Sequence, residues 1–214
     1  MKNKPFLWLA QMAVLAMALS SGVVAQNRPP LKLTGTISDY TTITPGAQSQ
    51  LWEMRGTWTL KTDHDFDSAD FTAELNMEHS DFAMSNGQTS RTQHTHHISL
   101  KNAQVQDQNF VLANCPSVHY TPATTTGFAI TGLASTTGNG ALAPFAPQGQ
   151  QSQLTVCITG SDQVTFSNIT LVFPATLTDG TTKNPASGHF GTQPINGVVK
   201  STEPSRRGDD GGRN

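Results

Sequence analysis

Between Trp52 and Lys61 the chain alternates without a break. Trp52, Met54, Gly56, Trp58 and Leu60 share one parity, and Glu53, Arg55, Thr57, Thr59 and Lys61 share the other. Successive side chains of a strand point to opposite faces, so this stretch predicts a long β-strand with one apolar and one polar side. Such a strand is not stable alone; it needs partner strands that bury the same face.

Partners of the same pattern follow. Phe71, Ala73, Leu75 and Met77 alternate with Thr72, Glu74, Asn76 and Glu78, which predicts a hairpin with the first run. Phe82 and Met84 continue the pattern towards an Asn86-Gly87 turn. Further strands are expected at Leu31–Ile37, His94–Lys101, Phe110–Ala113, Phe128–Ala134, Leu154–Thr159, Val164–Phe173 and Ile195–Val199. Ser135 to Gln153, rich in Gly, Pro, Ala and Gln, reads as a long surface loop. The pattern is that of an all-β domain of about nine or ten short strands. A single antiparallel barrel is expected, closed in the manner of a lipocalin or an allene oxide cyclase, because closure removes exposed edges. A two-sheet sandwich or jelly roll is the alternative.

Residues 1–25 read as a secretory signal peptide. Lys2 and Lys4 precede an apolar run from Phe6 to Leu19, and small residues lead to cleavage after Ala25. The β domain then spans 26–200, and the charged, Gly-rich stretch 201–214 reads as a disordered tail. Without the leader, 11 basic residues face 15 acidic ones, a formal charge of −4. That balance argues against nucleic acid as a partner, since phosphate binding needs a basic surface. The apolar run of the leader is shorter than the roughly 20 residues a span needs and no other long apolar run follows, so a secreted or periplasmic protein is expected. Cys115 and Cys157 are the only cysteines, and in an oxidising compartment they are expected to pair. Oligomeric state is not legible.

The chemistry-bearing stretch is His94-Thr95-His96-His97-Ile98-Ser99-Leu100. Alternation sends His94 and His96 to the face of Ile98 and Leu100, and His97 to the opposite face. Two imidazoles on an apolar face are either two ligands of a Zn or Cu ion or two buried polar groups satisfied by neighbours. A third ligand must come from a distance. His189, between Gly188 and Gly191, is the first choice, with His119 and His79 as alternatives.

Three further features are candidates. Asp63, Asp65, Asp67 and Glu74 stand at positions 1, 3, 5 and 12 of a calcium-loop spacing, but Ser68 replaces the glycine of its sharp turn. Trp52 and Trp58 share a face and are candidates to stack on a sugar or an apolar ligand, although core packing is their commoner role. Asn168-Ile169-Thr170 matches a glycosylation sequon and Arg207-Gly208-Asp209 an adhesion tripeptide; both are short enough to arise by chance.

The histidine stretch does not meet the cupin pattern, because Leu100 and Lys101 stand where its glutamate would. The spaced histidine motifs of copper-zinc superoxide dismutases are also missing. With its His-Thr-His-His strand and its Gly188-His189-Phe190-Gly191 segment, the chain resembles small secreted bacterial proteins. That resemblance implies export and no particular activity. The leading expectation is therefore an exported barrel that binds a metal ion or small ligand at its histidines. A surface-interaction protein without a pocket is one alternative. A barrel enzyme acting on an apolar or cyclic substrate, with a carboxylate or a tyrosine such as Tyr40 or Tyr120 beside the histidines, is the other. No nucleophile elbow, HExxH, phosphate loop or dinucleotide fingerprint appears.

Overall fold

The computed structural model describes residues 30–43, 50–81, 90–116, 126–139, 149–160 and 166–204. Among them are eight strands: β1 (Leu31–Ile43), β2 (Gln50–Thr62), β3 (Ser68–Asp81), β4 (Ser90–Gln106), β5 (Thr126–Gly138), β6 (Gln150–Gly160), β7 (Phe166–Val172) and β8 (Ile195–Pro204). Helix α1 (Gln108–Asn114) lies between β4 and β5, and the single turn α2 (Ser187–Phe190) between β7 and β8. Each strand pairs antiparallel with the next, and β8 returns to pair with β1. The result is a closed up-and-down barrel, not a sandwich or jelly roll. Among the described residues no helix is long and apolar enough to cross a membrane.

The parity of β2 carries directly into the packing. Met54, Trp58 and Leu60 are buried inside, as are Phe71 and Leu75 of β3 and Ile98 of β4. Trp58 is only 2% exposed, and its indole lies over Gly35 of β1. A Cβ on Gly35 would come 2.7 Å from the Trp58 ring and 1.9 Å from the Val198 carbonyl oxygen. Glycine is therefore what lets the barrel centre hold a tryptophan at this level.

Three expectations are corrected. The segment Phe110–Ala113 is not a strand but most of α1. Asp107 accepts from the Phe110 backbone N–H at 3.0 Å and caps the helix, and Val111 is its buried residue. Four residues were too few to show a period of either kind. The loop expected over Ser135–Gln153 is shorter at both ends, because β5 runs to Gly138 and β6 begins at Gln150. The strand residues there, Ser135-Thr136-Thr137-Gly138 and Gln150-Gln151-Ser152-Gln153, include no apolar side chain, so hydrophobic pattern was a poor guide. Finally, β8 continues to Pro204, with Ser201 to Pro204 paired against β1, so the expected tail begins as strand. Residues 1–25, the Asn86-Gly87 turn, His119, Tyr120 and Arg207-Gly208-Asp209 lie outside the described residues.

Cys115 and Cys157 form a disulfide across a sequence separation of 42. Cys157 and its cross-strand partner Ala129 face outward on β6 and β5, where α1 covers them with Val111 and Phe110. The bridge thus pins α1 to the outside of the barrel.

The connection from β7 to β8 folds over one end of the barrel. Its turn is held by Asp179, which accepts from the Thr181 and Thr182 backbone N–H groups at 2.9 and 2.8 Å. Asn184 is fully buried and donates to the carbonyls of Gln153 and Pro174 at 2.8 and 2.9 Å. Phe190 then stacks on Phe173, with ring centroids 4.9 Å apart and planes 15° from parallel. This lid carries His189.

Candidate metal centre

β4 presents His94 and His96 to the barrel interior at 8% and 1% exposure, next to the buried Ile98 and Leu100. His97 points outward, and its Nδ1 lies 2.5 Å from Glu74 Oε1 on β3. The lid brings His189 down onto the inward pair. Its Nε2 stands 3.0 Å from His94 Nε2 and 2.7 Å from His96 Nε2. One ligating nitrogen from each of the three lies within 4.8 Å of the others.

Two contacts fix the lid in that position. Thr41 of β1 donates its hydroxyl to the Phe190 carbonyl oxygen in a short hydrogen bond. Gly191 follows with φ of +79°, a conformation that favours glycine, and a Cβ there would lie 2.8 Å from Thr41 Oγ1. Phe190 also meets the His96 ring edge-on at 5.0 Å. Trp52 of β2, 9% exposed, closes the other side, with its ring 5.1 Å from His94.

The proton on the His96 ring can be placed by elimination. His96 Nδ1 lies 3.0 Å from the Thr137 carbonyl oxygen, which can only accept, so Nδ1 carries the hydrogen. Burial lowers the His96 pKa to about 4 against that hydrogen bond, so at neutral pH the ring is neutral and Nε2 offers a lone pair. Burial, then the charges of His96 and His94, lower His189 to about 3. Burial lowers His94 as well. If His189 Nε2 donates to His96, it has no lone pair for a His94 N–H. If it accepts from His94, two lone pairs meet at the 2.7 Å contact with His96. One His189 N–H can serve both contacts only as a shared three-centre bond, whereas a cation between the nitrogens would take a lone pair from each ring. Tetrahedral coordination with bonds of 2.0–2.1 Å would set neighbouring nitrogens about 3.3 Å apart, a few tenths of an ångström wider than the two His189 contacts. The His96–Thr137 bond is also the outer-shell partner that orients a metal-binding imidazole.

The other candidates are distributed as follows. Trp52 borders the histidines, while Trp58 lies deeper and packs 6.5 Å from Phe71. His79 rests 5.1 Å from the Trp52 ring and is not one of the three converging histidines. Asp63 accepts from the Asp67 and Ser68 backbone at 2.9 and 3.1 Å and so organises the β2–β3 turn. Glu74 stands further along β3, on the outward face with His97, and among the described residues the only converging group of three is the histidine one. Tyr40 is 54% exposed and turned towards Glu53, not towards the histidines. Asn168 of the sequon is paired within β7, opposite Thr159 and Val198.

No family model, curated protein or solved structure matches the chain. The geometry of the site is therefore what speaks to function. Sequence reasoning reached all three histidines but not the residues that assemble them. Thr41 and Phe190 had no local signature. Met77 was read only as a core residue, although it stands directly across from His94.

Proposed function

We propose that this chain is an exported β-barrel module that binds one transition-metal ion, Zn or Cu, through His94, His96 and His189. The observation that carries the reading is the double contact of His189 Nε2, at 3.0 and 2.7 Å from two other imidazole nitrogens. Three imidazoles with a further position left for a small ligand is a common arrangement for such ions. Export is supported by the signal-like residues 1–25, by the disulfide and by the resemblance to secreted bacterial proteins.

Binding of a small polar molecule beside the ion is a second part of the reading. Trp52 Nε1, Thr136 Oγ1 and Ser152 Oγ are buried without a hydrogen-bond partner. Thr136 sits across from Ile98 on the inward face, next to the level of His96. Buried polar atoms of this kind are normally satisfied, so a guest or ordered water is expected there.

Elemental analysis and thermal melting of untagged protein test the metal reading. Zn or Cu should be retained near one equivalent and should raise the melting temperature. The His94→Ala/His96→Ala double variant should lose both effects. If it keeps the same metal content and thermal shift as wild type, the reading fails.

A further inference from the structure

We infer that the ion is copper(I) and that Met77 supplies a thioether ligand beside the three imidazoles. This inference rests on the three-histidine reading and narrows it to one metal.

Met54, Met77 and His94 are Cα partners in one row across β2, β3 and β4. All three point inward, and both methionines are fully buried. Directly opposed residues on one face of an antiparallel pair have Cβ atoms about 4.5–5.5 Å apart. Met77 is thus the nearest-neighbour position to His94 on β3, and its unbranched side chain can adapt its sulfur to an adjacent ion. Met54 stands one strand further away and backs Met77.

Two features of the site favour a soft monovalent ion. Thioethers select copper(I), and imidazole suits it as well, whereas zinc takes imidazole, thiolate or carboxylate. The converging group contains no carboxylate or thiolate. A divalent ion there would bring two charges into a buried, entirely neutral ligand set, and burial of uncompensated charge is costly. A monovalent ion brings one. The rings of Trp52 and Phe190 pack against His94 and His96.

The test is competitive titration of metal-stripped, untagged protein. Copper(I) is presented anaerobically by a chromogenic chelator, and Zn(II) separately by a zinc chelator. Met77→Leu should weaken copper(I) binding by about tenfold or more and leave Zn(II) binding within about twofold, since only copper(I) uses the thioether. Met54→Leu, of the same chemistry one strand away, should leave both unchanged. An unchanged copper(I) affinity in Met77→Leu, or an equal loss in the two leucine variants, overturns the Met77 assignment and leaves the three-histidine reading standing. A wild-type protein that binds neither metal overturns the three-histidine reading itself. Should Met77→Leu fail to fold, copper-edge X-ray absorption of the wild-type complex decides. A sulfur neighbour supports the assignment, and a shell of nitrogen alone overturns it.

Discussion

His189 Nε2 lies 2.7 Å from His96 Nε2, across 93 residues of sequence. One ring stands on a barrel strand and the other on the lid that closes the barrel. The contact therefore depends on where the lid is seated. The seat is made by Phe190 stacked on Phe173 and by the Thr41 hydroxyl under the Phe190 carbonyl.

Because His189 belongs to the lid and is only half-buried, its loss should separate binding from folding. His189→Ala should reduce metal affinity by about two orders of magnitude or more, as expected when one of three ligands is removed. The metal-free melting temperature should move little, within the range typical of substitutions outside the core. Calorimetric melting with and without metal checks both halves.

The seat itself can be disturbed without touching a ligand. Gly191→Ala places a methyl group 2.8 Å from Thr41 Oγ1 at a residue whose φ is +79°. Strain at such a position costs about 1–3 kcal/mol and should lift the lid. Metal affinity should fall by about tenfold, as for a cost of 1.4 kcal/mol, with barrel circular dichroism retained.

The buried imidazoles make the metal-free protein sensitive to acid. His96 and His189 have folded-state pKa values of about 4 and about 3, both lowered chiefly by burial, from an ordinary value of 6.5. Lowered values mean that the unfolded chain binds protons first. The stability they contribute is fully present above pH 6.5 and is lost as pH falls from there towards pH 4 and then 3. Urea midpoints measured from pH 7.5 to 4 should fall, and should fall less steeply in His96→Leu than in wild type. Bound metal should leave over the same acid range.

The disulfide should matter for stability and not for metal. With a sequence separation of 42, chain-entropy arguments assign Cys115–Cys157 roughly 3–4 kcal/mol. The Cys115→Ala/Cys157→Ala variant should lose about that much in denaturant unfolding. Its metal affinity should match wild type, because the bridge fastens α1 to the outside of β6, whereas the histidines open towards the lid.

At the β2–β3 turn, Asp63→Ala should destabilise the protein by about 1–2 kcal/mol, the value of lost hydrogen bonds to a charged acceptor. Calcium should not change the melting temperature of wild type or variant, since Glu74 of β3 is turned towards His97 of β4. A calcium-dependent shift abolished in Asp63→Ala would restore a calcium site.

Much of this architecture was legible because alternation is a local property. The faces of Trp52–Lys61, Phe71–Glu78 and His94–Lys101 were all set by parity, and parity separated His97 from His94 and His96. Parity carries no depth. It placed Trp52 and Trp58 on the same face but could not tell that Trp58 fills the barrel centre while Trp52 borders the histidines. Convergence is not local either. The glycines around His189 singled out the segment, and only the closed barrel shows that it lies over β4. Met77 and His94 became neighbours through the β3–β4 register, which no feature of either strand displayed alone.

The most direct measurement of the central claim is metal stoichiometry of the stripped, untagged chain after reloading and desalting, beside His189→Ala treated in the same way. The account predicts one Zn or Cu ion per wild-type chain and almost none in the variant. Equal metal in the two, or none in wild type, would contradict it.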